Sequence, residues 1–133
     1  VYRLRDRLRA DFGYEATIIR FPGGSSNTVS RQYSVGIMSR LAQRVQNEGF
    51  TYFDWNVSSG DAAGTPASSG RIYSAVTSAL RHGRSNVVLM HDAATKSTTA
   101  DALPDIIQYC LANGYSIQAI TPATKPVHHG IAN

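Results

Sequence analysis

The stretch Asn86-Val87-Val88-Leu89-Met90-His91-Asp92 sets a short apolar run against two titratable residues. Four apolar residues are too few for a helix, and polar neighbours bound them. The run therefore reads as a strand buried on both faces, as in a parallel sheet. His91 and Asp92 fall at its carboxyl end, where α/β folds gather their chemistry. An imidazole there can serve as general acid or base, as metal ligand, or as a structural donor that closes the strand.

Working outward, Ser69 is placed to cap a helix carrying Ile72, Val76, Ala79 and Leu80, closed by Gly83. Before it lie a small-residue loop, Ser58–Ser68, which contains Asp61, and an aromatic strand, Thr51–Val57, with Tyr52, Phe53 and Trp55. Ile37, Met38, Leu41, Ala42 and Val45 form the stripe of an earlier helix that starts near Ser34 and ends at Gly49. Ala16–Arg20 reads as the first strand, stopped by the loop Phe21-Pro22-Gly23-Gly24-Ser25-Ser26-Asn27. The first twelve residues carry Val1, Leu4, Leu8 and Phe12 on one helical face, with Gly13 as cap.

Downstream, a polar loop through Thr98 precedes a helix with Leu103, Ile106, Ile107, Cys110 and Leu111 on one face. Pro104 is expected in its first turn and Gly114 as its cap. A last strand is expected over Ser116–Ile120, followed by an irregular tail over 121–133. Helix followed by strand, four times, gives the fold class α/β with parallel strands and right-handed crossovers. Four such strands make either a small open sheet or a section of a (β/α) barrel. A section leaves bare strand edges, which natural proteins avoid. The chain also opens at Val1 inside an expected helix, without an initiator methionine. Both features lead to the expectation of a missing upstream part.

At 133 residues the chain is one domain's worth. Thirteen Lys+Arg against nine Asp+Glu give +4, and Arg3, Arg5, Arg7 and Arg9 crowd the first helix, where they read as a solvated face. A nucleic-acid surface wants a basic stripe interleaved with exposed aromatics, and none is written here. The lone Cys110 cannot form an internal disulfide and sits among apolar residues at helical spacing, so it reads as core. No apolar run approaches the roughly 20 residues of a membrane span, and no stretch reads as a signal peptide.

In a parallel arrangement three strand ends converge on one rim: Arg20 before the glycine loop, the loop with Asp61, and His91. Such a set can do acyl-transfer chemistry. The Asp orients the His, the His moves a proton, and loop N–H groups stabilise an oxyanion. Simpler readings stand beside this one. Arg20 can be a surface arginine and Asp61 a turn former, while Asp54 and Asp92 read as strand-end hydrogen-bond partners. Neither a Gly-x-Ser-x-Gly elbow nor a phosphate-binding glycine pattern occurs.

Arg20-Phe21-Pro22-Gly23-Gly24-Ser25-Ser26-Asn27, Trp55-Asn56-Val57-Ser58-Ser59-Gly60-Asp61 and Leu89-Met90-His91 resemble, in order, three successive motifs of one family. They are the third, fourth and fifth motifs of the polysaccharide deacetylases (NodB-homology domain, carbohydrate esterase family 4). The tail His128-His129-Gly130-Ile131-Ala132-Asn133 is also similar to tails of bacterial members. The resemblance implies that residues 1–133 are the C-terminal half of a distorted (β/α) barrel. It also implies metal-dependent hydrolysis of N-acetyl groups on an amino-sugar polymer of chitin or peptidoglycan type. Matched residue by residue, His91 takes the place of the general acid and Asp61 of its partner. Leu89 takes that of the wall of the acetyl pocket, Arg20 of the residue orienting a catalytic Asp, and Gly23 of the oxyanion N–H donor. Trp55 falls on the substrate side or packs beneath the site.

The family's first two motifs, which supply the catalytic base and the metal ligands, have no counterpart in the sequence. His128-His129 is adjacent rather than spaced on a helix, and His82 lies at a helix end, where a charge–dipole role suffices. A divalent metal, zinc being commonest in the family, is thus expected in an intact parent, with ligands outside this chain. The expected partners are a glycan substrate and the missing N-terminal half, and the expected location is the outside or surface of a bacterial cell. The chain alone is expected to have little or no activity. Ala62 stands where many relatives have Trp, which favours an alternative, a non-catalytic glycan-binding module of the same fold. An unrelated α/β small-molecule binder using Gly23 and Gly24 is the other rival.

Overall fold

Among the described residues, the strands form two parallel pairs. The computed structural model describes residues 1–62 and 67–133. The expected Ser58–Ser68 loop is thus described at its ends, and its residues 63–66 lie outside the described residues. The chain divides into two units, one of residues 1–54 with 120–133 and one of residues 55–119.

In the first unit, helix α1 (Tyr2–Phe12) ends as expected. Gly13 takes a left-handed conformation, its N–H bonds Arg9 O at 3.0 Å, and the Tyr14 N–H bonds Leu8 O at 3.3 Å. None of the helix's residues is buried, and Arg5 lies over the rings of Tyr2 and Phe50. Strand β1 (Ile18–Ile19) is shorter than the expected Ala16–Arg20. A 3-10 turn (Ser30–Gln32) leads into helix α2 (Ile37–Asn47), whose Met38, Ala42 and Val45 are buried. Strand β2 (Thr51–Tyr52) pairs parallel to β1, Ile18 opposite Thr51 and Ile19 opposite Tyr52. Phe21, Met38, Ala42, Val45, Phe50 and Tyr52 make this unit's core.

In the second unit, β3 (Val57–Ser58) pairs parallel to β4 (Val88–Leu89), Val57 opposite Val88 and Ser58 opposite Leu89. Between them runs α3 (Ser69–Ala79), and α4 (Ser97–Ala112) follows. The helices pack on one another, and Val57, Ile72, Val76, Leu80, Ala102, Ile106 and Cys110 form the core. Ile72 and Val76 are fully buried, each stabilising the unit by roughly 1.5–3 kcal/mol. Cys110 is core, as its spacing suggests.

Several boundaries differ from the sequence reading. The expected Thr51–Val57 strand is two strands, because Asp54 leaves the ladder and gives its N–H to Val127 O at 2.7 Å. Val88 and Leu89 are half-buried rather than buried on both faces, for β4 has one partner strand among the described residues. Ser68, not Ser69, caps α3, accepting a bond from the Arg71 N–H. That helix ends at Ala79, before Gly83. Pro104 lies inside α4, because Ser97–Thr99 already form its first turn. Ser116–Ile120 forms no strand: it has no ladder partner among the described residues, and Ile117 and Ile120 are exposed. No described helix is long and apolar enough to cross a membrane.

Candidate active site

The β3–β4 register decides the geometry of the second unit's site. Asp61 and His91 each follow the carboxyl end of one of two paired parallel strands, three and two residues on. The chain beyond β3 turns at Gly60, which takes a φ of 71°, a conformation that suits glycine. The turn brings the Asp61 carboxylate under the start of α4.

His91 bonds this carboxylate twice. Its main-chain N–H donates to Asp61 Oδ2 at 2.7 Å, and its Nδ1 lies 2.7 Å from Oδ1. The Thr99 hydroxyl donates to Oδ2 at 3.1 Å, and Lys96 Nζ donates to the Asp61 carbonyl. Asp61 is 3% exposed, whereas the His91 side chain keeps about a third of its surface open. Burial alone pushes the Asp61 carboxyl up. Hydrogen bonds from the His91 ring and N–H, and from the Ser59 and Thr99 hydroxyls, outweigh burial and hold it at about 2. The carboxylate is thus charged, Nδ1 carries a proton toward it, and Nε2 is left to exchange one.

In the first unit, Arg20 immediately precedes the Phe21–Asn27 loop, which contains Gly23. Arg20 is exposed, with Nη1 donating to Phe21 O at 3.4 Å. Gly24, not Gly23, closes the turn, its N–H bonding Phe21 O at 2.8 Å. Among the described residues no acceptor takes the Gly23 N–H. Leu89 is half-buried on β4, and Trp55 is half-buried just before β3. The structure therefore joins Asp61 to His91, while Arg20 and Gly23 lie in the first unit.

Sequence reasoning passed over Thr99 and Lys96, whose only signal was their place in the first turn, and just before it, of a helix that follows His91. It took Asp92 as a strand-end hydrogen-bond partner, yet Asp92 is exposed, and Lys96 reaches back from this segment instead. Asp54 is a hydrogen-bond acceptor, as expected, for Ser25 and His129. A protein metal site needs about three ligands. Among the described residues no three His, Cys, Asp or Glu side chains gather to hold an ion.

No family profile matches the chain. It is 28% identical over 130 residues to YheN of Bacillus subtilis strain 168, assigned to the polysaccharide deacetylases; the match takes in 93% of this chain and 41% of that protein. Among solved structures it is similar to the catalytic domain of peptidoglycan N-acetylglucosamine deacetylase from Eubacterium rectale ATCC 33656. That likeness has a TM-score of 0.93 and 42% identity, and covers 99% of this chain and 59% of that one. A carbohydrate esterase family 4 (CE4) esterase of Streptococcus mutans gives a TM-score of 0.68 at 26% identity, covering 87% of this chain and 49% of that one. The chain thus spans about two-fifths to three-fifths of the relatives it matches. It is a homologue of the polysaccharide deacetylases, the family its three motifs resemble.

Proposed function

We propose that the chain is part of a metal-dependent polysaccharide deacetylase that hydrolyses N-acetyl groups of N-acetylglucosamine polymers, of peptidoglycan or chitin type. The observation that carries this reading is the Asp61–His91 pair, bonded through both carboxylate oxygens at the ends of parallel strands. In the reaction a water adds to the acetyl carbon, the carbon–nitrogen bond breaks, and acetate leaves a free amine. The departing nitrogen needs a proton, and His91 Nε2 gives it. Asp61 holds the Nδ1 proton and balances the imidazolium charge. Leu89 walls the acetyl methyl group, the Gly23 N–H faces the developing oxyanion, Arg20 orients the catalytic base, and Trp55 lines the substrate side.

Residues 1–133 serve in this reading as the C-terminal half of a distorted (β/α) barrel. The other half supplies the base and the ligands of the divalent metal, zinc for preference. The protein acts at the outside or surface of a bacterial cell, where such polymers lie. The test is acetate release from N-acetylglucosamine oligomers and peptidoglycan by the full-length parent. Turnover is expected, with His91→Ala lowering kcat by about 10²–10⁴-fold; the 133-residue chain alone should release little or none. Saturable glycan binding by the parent without turnover would replace this reading with that of a binding module.

A further inference from the structure

Phe21 anchors the start of the Phe21–Asn27 loop in the first unit's core, but beyond it residues 22–27 have few means of holding themselves in place. Gly23 and Gly24 both lie at left-handed φ, 72° and 77°, where L side chains are strained. A Cβ on Gly23 would also come within 3.2 Å of Asn27 Nδ2. The loop's internal bonds run from the Gly24 N–H to Phe21 O, from the Asn27 N–H to Gly24 O, and from Asn27 Nδ2 to Pro22 O. These shape the turn but do not fasten it to the rest of its unit.

The fastening comes from Asp54. Oδ1 accepts the Ser25 N–H at 2.8 Å, and Oδ2 accepts the Ser25 hydroxyl at 2.5 Å and the His129 N–H at 2.8 Å. Asp54 and Ser25 are 1% and 0% exposed. The Asp54 N–H donates to Val127 O at 2.7 Å, so this one residue grips the C-terminal segment at two points. That segment is held further. The His128 ring stacks on Tyr52 at 3.9 Å with Nε2 donating to Tyr52 O at 3.0 Å, and His129 Nδ1 lies 3.1 Å from Ser26 Oγ. A buried carboxylate is costly unless its lone pairs are filled. Here the donors that fill them come from two segments far apart in sequence.

We infer that Asp54 is a positioning residue: it clasps the Phe21–Asn27 loop to the Val127–His129 segment and thereby sets the direction of the Gly23 N–H. The double histidine is then a structural latch, and the last residues of the chain belong to the support of the oxyanion donor. The inference rests on the proposed function for its catalytic consequence only.

The test compares full-length parent protein with and without Asp54→Asn, which keeps the shape but turns one acceptor into a donor. Amide hydrogen exchange should quicken about tenfold or more in both segments, 21–27 and 127–130. In the acetate-release assay kcat should fall about 10–100-fold with KM within threefold, because the substrate still binds while an oxyanion donor is misdirected. Where Asp54→Asn does not fold, Ser25→Ala removes the hydroxyl bond alone and should lower kcat about 3–10-fold. A folded variant whose exchange quickens in neither segment or in only one, or whose kcat is unchanged, overturns the clasp. A wild-type parent that releases no acetate from any N-acetyl glycan defeats the proposed function instead, and the exchange result still decides the clasp.

Discussion

The Asp61 carboxylate meets His91 at both of its oxygens, the ring nitrogen Nδ1 on one and the main-chain N–H on the other, each at 2.7 Å. A carboxylate that only stabilised charge would need the first contact. The second fixes the backbone from which the imidazole projects, so the ring's direction depends on Asp61 as well as its tautomer.

Asp61→Asn should therefore damage catalysis more than folding. An amide in this place presents an N–H₂ group to at least one of the carboxylate's donors and cannot hold the Nδ1 proton as a carboxylate does. We expect kcat to fall about 10²–10⁴-fold in the acetate-release assay, with substrate affinity changed little. Unchanged turnover would remove Asp61 from the mechanism.

Thr99 contributes the third donor to the same carboxylate. Thr99→Val keeps the shape and deletes the hydroxyl, leaving a buried oxygen with one bond fewer. Stability should drop by about 1 kcal/mol, read as a shift of the urea midpoint with unchanged slope. A midpoint equal to wild type would mean that the bond adds nothing net.

Acid should weaken the fold through Asp61. The folded carboxyl titrates at about 2 against an ordinary value of 3.8, so the folded state prefers the charged form. That preference is fully present above the ordinary value and is lost as pH falls from about 4 towards 2. It amounts to roughly 2 kcal/mol. Asp54 pulls in the same direction: burial raises it, but bonds from Ser25 and His129 prevail and hold it below its usual range. Urea midpoints measured between pH 6 and pH 2.5 should fall with acid, and less steeply in Asp61→Asn.

Ile72 has no exposed surface and joins Val57 and Val76 in the second unit's core. Ile72→Ala should cost about 2–5 kcal/mol by chemical denaturation. The folded fraction should keep near-normal turnover per molecule, since Ile72 touches neither Asp61 nor His91 through any hydrogen bond.

The chain announced its Asp61–His91 pair and concealed its supports. Asp61 and His91 stood out because polar residues just past short apolar strands are few, and their spacing matched a known order of motifs. Thr99 and Lys96 did not, for a polar stretch such as Thr95–Thr99 looks like any loop until the chain path puts one hydroxyl on a carboxylate. Asp54 was legible as an acceptor, yet its donors stand 29 and 75 residues away and no local periodicity links them. The same limit explains Ser116–Ile120, where a strand-like alternation found no neighbour to pair with among the described residues. It also explains Thr51–Val57, where an aromatic run hid the break at Asp54. Propensity describes the segment alone, whereas a ladder is a property of two.

Cys110 lies 8% exposed in the core of the second unit, and burial pushes its thiol above the ordinary value. Since the sequence holds one sulfhydryl, every adduct formed by a thiol-seeking reagent reports on one place. In the native state that sulfur is both hidden and reluctant to ionise, so modification has to wait for α4 to lift from α3. The chain thus carries its own stopwatch: the rate of labelling under native conditions counts the openings of this helix pair, without any probe having to be engineered in.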